Sequence, residues 1–172
     1  MNTLKTSYRA LIALLLVSGI LVAATPVLAA TGFQDVTDGH WAARYISRMS
    51  ALEVIRGYSD GTFRPDQAVT ELEALIMAAR CKSSTATITA PLPFAVPAWA
   101  EQDIARALAL GLLKNDDAFF PEAAATRAWV TRLLVRLIGK EGEALGVQDP
   151  PAFTDSYLIP SWAAGYVKVA RD

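Results

Sequence analysis

Residues 57–70 read GYSDGTFRPDQAVT. Asp60-Gly61 favours a tight turn with positive φ at Gly61, and Pro65 fixes the exit. Gly57 supplies a helix-ending conformation after Ile55 and Arg56. Thr70 then opens a T-x-x-E pattern with Glu73, the reciprocal capping box of a helix start. Helical periodicity flanks the stretch on both sides. Upstream, Trp41, Tyr45, Ile46, Met49 and Leu52 share one face, with Asp38 placed to cap them. Downstream, Leu72, Leu75, Ile76 and Ala79 line another. The stretch predicts a loop between two helices.

The unit recurs. The segment from Phe94 aligns with the segment from Phe33: Trp99 matches Trp41, Ile104 matches Ile46, and LALGLLKN matches SALEVIRG. FFPEAAAT, ending at Thr126, matches FRPDQAVT, ending at Thr70; the central loop of the second copy is two residues shorter. A third copy starts at Phe153 with FTDSYLIPSWAAGYVKVARD, so Trp41, Trp99 and Trp162 stand 58 and 63 residues apart. The organisation read from the sequence is copy one over 33–80, a linker over 81–93, and copy two over 94–140. A second linker over 139–152 leads to a partial copy three over 153–172. In copy two Thr126 can cap, and Val130, Leu133, Leu134, Leu137 and Ile138 form the apolar stripe. Arg132, Arg136 and Lys140 fall outside the stripe and read as a solvated face. Asn115 replaces Gly57, so the turn persists in altered form. The tryptophans read as anchors of helix packing. One hairpin cannot bury both of its stripes, so the copies must pack on one another.

Residues 1–30 carry Lys5 and Arg9, the apolar run LIALLLVSGILVAA, and then TPVLAA. A basic start, an apolar centre and small residues at the end describe a cleaved export signal. The run is shorter than the ~20 residues of a spanning helix, so no membrane attachment is expected after cleavage. Without Lys5 and Arg9 the rest of the chain has 14 Lys+Arg against 17 Asp+Glu, a net of −3. That weakly acidic balance gives nucleic acid no electrostatic foothold. Cys81 and His40 are the only residues of their kinds. An internal disulfide and a histidine-based metal cluster are therefore ruled out. Asp35, Asp38, Asp60 and Asp66 lack the D-x-D-x-D-G spacing of a calcium loop and read as caps and turns. No cofactor or metal is expected.

FQDV (33–36), HWAARYI (40–46) and GYSDGTFRPDQAVT (57–70) closely resemble the S-layer homology (SLH) repeat. The resemblance is strong over 33–80, degenerate over 94–140, and covers the first half of a repeat over 153–172. It implies a mainly α fold of tandem helix-loop-helix repeats in pseudo-threefold arrangement, here with an incomplete third repeat. It also implies secretion to the cell envelope and non-covalent attachment to a cell-wall polysaccharide or other peptidoglycan-linked glycan, typically pyruvylated. In that family the second helix opens with T-R-A-E, whose Arg contacts the acidic sugar.

This chain departs from that motif unevenly. Copy two has Thr126-Arg127-Ala128-Trp129, with the Arg present and Trp129 in place of Glu. Copy one has Thr70-Glu71-Leu72-Glu73, with Glu71 in place of Arg. A cation in a first helical turn opposes the helix dipole, and a bound anion offsets that cost. Arg127 is accordingly the leading glycan contact, with Thr126, Trp41, Asp60 and Gly61 as further candidates. Glu71 would repel a carboxylate. Two other roles compete with glycan anchoring: an assembly subunit pairing with another SLH chain or with itself, and a truncated fragment that binds nothing. Catalysis is not expected, because caps, turns and solvated faces account for nearly every acidic residue.

Overall fold

The computed structural model describes residues 32–82, 91–149 and 152–172. The export segment and the middle of the first linker lie outside the described residues. Among the described residues there are six α-helices and no strands. They are α1 (Ala43–Ala51), α2 (Glu71–Arg80), α3 (Glu101–Ala109), α4 (Arg127–Leu137), α5 (Glu141–Leu145) and α6 (Ala164–Arg171). None is long and apolar enough to cross a membrane. The architecture is mainly α, as expected.

Helix α2 forms where the capping box places it. The Thr70 hydroxyl accepts the Glu73 N–H at 3.2 Å, and the Glu73 carboxylate returns to the Thr70 N–H at 2.9 Å. Leu72, Leu75, Ile76 and Ala79 are all buried, in one core with Ile104, Leu112, Trp129 and Leu133. Copies one and two are thereby fused, with α2 packed along α3. The pattern then repeats one copy on, where α4 and α5 pack against α6 around Val135, Ala144 and Tyr166. The approach of α5 and α6 is close. A Cβ on Gly165 would sit 2.0 Å from the Ala144 carbonyl oxygen, so only glycine fits there.

Helix α1 behaves differently. Its buried residues, Ala42, Ala43 and Ile46, join Val36, Phe33 and Phe63 from its own copy. Of the rest of its expected stripe, Trp41, Tyr45 and Leu52 are exposed and Met49 is half-buried. A periodic stripe becomes core only where a second element covers it, and among the described residues α1 has no extensive contact with another helix.

Further expectations are corrected. The three aligned tryptophans do not anchor packing; Trp129, outside that alignment, is the one in the core, whereas Trp41, Trp99 and Trp162 are 82%, 64% and 45% exposed. The small alanine following each of them (Ala42, Ala100, Ala163) is what turns inward. Asp38 does not cap α1, whose N-cap is Ala42 with no side-chain bond. Helix α1 also ends before Gly57. Glu53 takes a positive φ of 57°, matched in copy two by Gly111 at 68°, while Asn115 stays out of the left-handed region. In both copies the next N–H reaches back five residues, Val54 to Met49 and Leu112 to Ala107, closing a Schellman-type end. In copy two's stripe, Leu133 is buried whereas Leu134 and Ile138 are exposed. The segment read as a second linker carries α5. Arg136 is buried and Arg132 nearly so, against the expected solvated face; Lys140 is exposed.

Candidate functional site

The loop 57–70 is braced from within. Tyr58 accepts the Gly61 N–H through its carbonyl and donates its own N–H to Thr62, forming the turn in which Gly61 adopts φ 81°. The Asp60 carboxylate accepts the Thr62 hydroxyl at 2.6 Å and the Arg64 guanidinium at 2.8 Å. Those two bonds hold its pKa down to about 2. Arg64 also lies over the Tyr58 ring, 4.0 Å from its centroid. Asp35 reaches across to accept the N–H groups of Phe63 and Arg64, so copy one's FQDV segment clamps its loop. The Tyr58 hydroxyl donates to Glu73 at 2.9 Å and ties the loop to the start of α2. Asp60 and Gly61 thus share one rigid turn, and the Asp60 charge is already engaged by protein groups.

The two helix starts, equivalent in sequence, are in opposite states. At α2 the loop of copy two fills the space. Thr70 and Ala124 form an antiparallel bridge, the Ala125 N–H donates to Val69, and the N–H groups of Glu71 and Leu72 donate to Ala123 and Pro121. The buried Glu71 carboxylate accepts the Phe120 N–H at 2.8 Å. Glu71 is therefore a structural acceptor, closed off by protein.

At α4 nothing comparable arrives. Thr126 caps the helix by accepting the Trp129 N–H at 3.2 Å. Trp129 stands where copy one has Glu73, so the return bond of the capping box is missing. Its ring is buried beside Phe119, and its Nε1 has no acceptor among the described residues. Thr126 and Arg127 are exposed. Among the described residues the Arg127 guanidinium has no ion pair, and the N–H groups of Arg127 and Ala128 have no acceptor. The first turn carries no acid. An anion would find there an unpaired cation and two free donors.

An ion network ties the copy-two loop to α4 and α5, and copy three joins it through Tyr166 and Trp162. Asp117 pairs with Arg136 and with Arg132, the latter at 3.0 Å. Arg136 also pairs with Glu141 at 2.8 Å, and Lys114 reaches the same carboxylate at 2.7 Å. The Tyr166 hydroxyl donates to Glu141 at 2.9 Å. Burial alone would raise the pKa of Glu141, but bonds from Lys114, Arg136 and Tyr166 outweigh it and hold it at about 2. Arg132 additionally covers the Trp162 ring at 4.6 Å.

Thr126 and Arg127 are neighbours at the start of α4, and Asp60 and Gly61 share the copy-one turn. Trp41 stands just before α1. Among the described residues no hydrogen bond, ion pair or ring contact joins these three places. Sequence reasoning passed over Trp99 and Trp162 as surface groups. Their alignment with Trp41 was the available signal, since one outward tryptophan at that position implies three. No group of His, Cys, Asp and Glu among the described residues could hold a metal ion.

Comparison with known proteins fits this geometry. Residues 32–75, copy one from before Phe33 into α2, match the S-layer homology domain model. The chain carries an S-layer homology domain over those residues. It is 29% identical over 130 residues to a cellulosome-anchoring protein of Acetivibrio thermocellus, covering 69% of this chain and 29% of that protein. It is 29% identical over 123 residues to cell surface glycoprotein 1 of the same organism, covering 63% of this chain and 5% of that one. Over 46 residues it is 52% identical to the outer membrane protein SlpA of Deinococcus radiodurans, covering 27% of this chain and 4% of SlpA. The chain thus spans less than a third of the length of these relatives. No solved structure matches it.

Proposed function

We propose that this chain is an exported attachment module of the cell envelope that binds a cell-wall glycan non-covalently and performs no chemistry on it. The acidic substituent of the glycan, such as a pyruvyl ketal carboxylate, sits at the start of α4 against Arg127. One observation carries this reading: among the described residues Arg127 and two N–H groups of its turn lack partners, whereas the equivalent Glu71 is sealed against Phe120. A cation in the first turn costs about 0.3–1 kcal/mol against the helix dipole. A carboxylate bound by guanidinium and backbone N–H groups reverses that cost through charge-assisted bonds. Thr126 shapes the turn through its cap, exposed Trp41 offers an aromatic face to a sugar ring, and the Asp60-Gly61 turn keeps its loop rigid. The relatives named for anchoring and for the cell surface point the same way.

The test is co-sedimentation of the full chain with purified wall polysaccharide, before and after mild acid removal of its ketal groups. Retention that falls with ketal removal supports the reading, and equal retention refutes it. A second reading, pairing with another SLH chain, is favoured by the open face of α1.

A further inference from the structure

We propose that His40 is a positioning residue for Trp41 and the start of α1, a latch closed when its imidazole is neutral and open when it is protonated. The consequence for attachment rests on the glycan reading above, in which Trp41 meets a sugar ring.

The three copies share one N–H at this point and satisfy it in two ways. Ala42, Ala100 and Ala163 follow the aligned tryptophans and are buried. The Ala100 N–H donates to the Pro97 carbonyl and the Ala163 N–H to the Pro160 carbonyl, both at 2.8 Å. Copy one has Gly39 at the proline position. Its Ala42 N–H donates instead to Nδ1 of His40 at 3.2 Å. Ala98 and Ser161 stand where copy one has His40. A backbone carbonyl accepts at every pH. An imidazole nitrogen accepts only while it is unprotonated, and in the imidazolium ion both nitrogens are donors. A titratable acceptor thus replaces a fixed one at the start of α1.

Protonation acts twice here. It takes the acceptor from the Ala42 N–H, and it sets a cation just before a helix whose first turn carries no acid to offset it against the dipole. Trp41 lies inside the ring that the bond closes, its indole 5.8 Å from the imidazole between centroids. Gly39 does not restrain the chain as a proline would once the bond opens. The charged groups of the surrounding segments leave the imidazole to this bond. Asp38 precedes it and is exposed. Arg44 on α1 is given to Tyr45. In the loop packed on α1 through Phe63, Arg64 pairs with Asp60, and Asp35 holds the Phe63 and Arg64 N–H groups. Among the described residues none of these forms a hydrogen bond or ion pair with the imidazole. The latch is closed above the range in which imidazoles protonate, about pH 5 to 8, and open below it.

The test is hydrogen exchange and indole N–H NMR of the full chain at about pH 7.5 and about pH 5, either side of most imidazole titrations. Wild type is compared with His40→Asn and His40→Ala. An asparagine oxygen takes the place of Nδ1 and accepts at every pH, whereas alanine never accepts. In wild type, opening of the amides of residues 42–46, corrected for intrinsic exchange, should rise roughly fivefold on acidification, the factor of one net hydrogen bond. The Trp41 indole signal should move with the same midpoint. His40→Asn should stay closed and His40→Ala open at both pH values. A guanidinium and a ketal carboxylate keep their charges over this range. Polysaccharide retention should therefore fall with the step in wild type and stay flat in both variants. A wild type without the step, or a step that survives in His40→Asn, overturns the proposal. Retention that is present yet ignores the step overturns its link to attachment. Retention absent at every pH refutes the glycan reading instead, while the exchange and indole signals still decide the latch.

Discussion

The Glu71 carboxylate accepts the backbone N–H of Phe120 at 2.8 Å, joining the first turn of α2 to the loop of the following copy. That bond closes the helix start of the copy best preserved by sequence with a protein group. Replacing Glu71 with Ala removes the acceptor of the part-buried Phe120 N–H. Urea denaturation should show a loss of about 1–3 kcal/mol, with Glu71→Gln losing less because an amide oxygen remains. Glu71→Arg, which restores the family's Thr-Arg motif in name, should destabilise at least as much and gain no polysaccharide binding. A gain of binding would contradict this account.

Arg136 is the centre of a buried ion network with Asp117 and Glu141. Arg136→Ala takes from Asp117 one of its two arginines and should cost about 3 kcal/mol, the low end of the range for breaking one side of a buried pair. The double variant Arg136→Met, Asp117→Leu should recover much of that loss in chemical denaturation. Full additivity of the two single losses would exclude the network.

The same network sets an acid limit. The folded Glu141 pKa, about 2, lies below its ordinary 4.5, and that of Asp117 is also lowered. The unfolded chain therefore takes up protons first. The stability these groups contribute is complete above about pH 4.5 and declines as the pH falls toward 2. Glu141→Gln should flatten stability against pH over that window, measured by thermal unfolding. An unchanged slope would remove Glu141 from the account.

Gly165 lets α6 lie on the backbone of α5. Gly165→Ala should push α6 off Ala144 and cost about 1–3 kcal/mol as an overpacked contact. Faster hydrogen exchange should follow in residues 164–171, while α2 and α3 keep their protection.

Local signals carried well from sequence to fold. The Thr70–Glu73 box and the α2 stripe stand where the pattern puts them, because short-range hydrogen bonds and an actual covering helix enforce them. The helical period on α1 was equally clear, yet Trp41, Tyr45 and Leu52 are exposed, since periodicity marks a face without saying what covers it. Arg136 was illegible for another reason. Its partners lie nineteen residues before it, in a loop, and five residues after it, in a short helix hidden within a Gly-rich charged segment. At the candidate site, Arg127 and its missing capping acid could be read directly. The burial of Glu71 could not, because it depends on a loop forty-nine residues away.

The central claim is that Arg127 holds an acidic sugar at an otherwise unpartnered helix start. The most direct measurement compares the wild-type chain, Arg127→Ala and Arg127→Lys for binding to pyruvylated wall polysaccharide by calorimetry. The account predicts at least a tenfold loss for Arg127→Ala, partial retention for Arg127→Lys, and thermal stability unchanged in Arg127→Lys and slightly raised in Arg127→Ala, which relieves the helix dipole. Wild-type affinity in Arg127→Ala would contradict it.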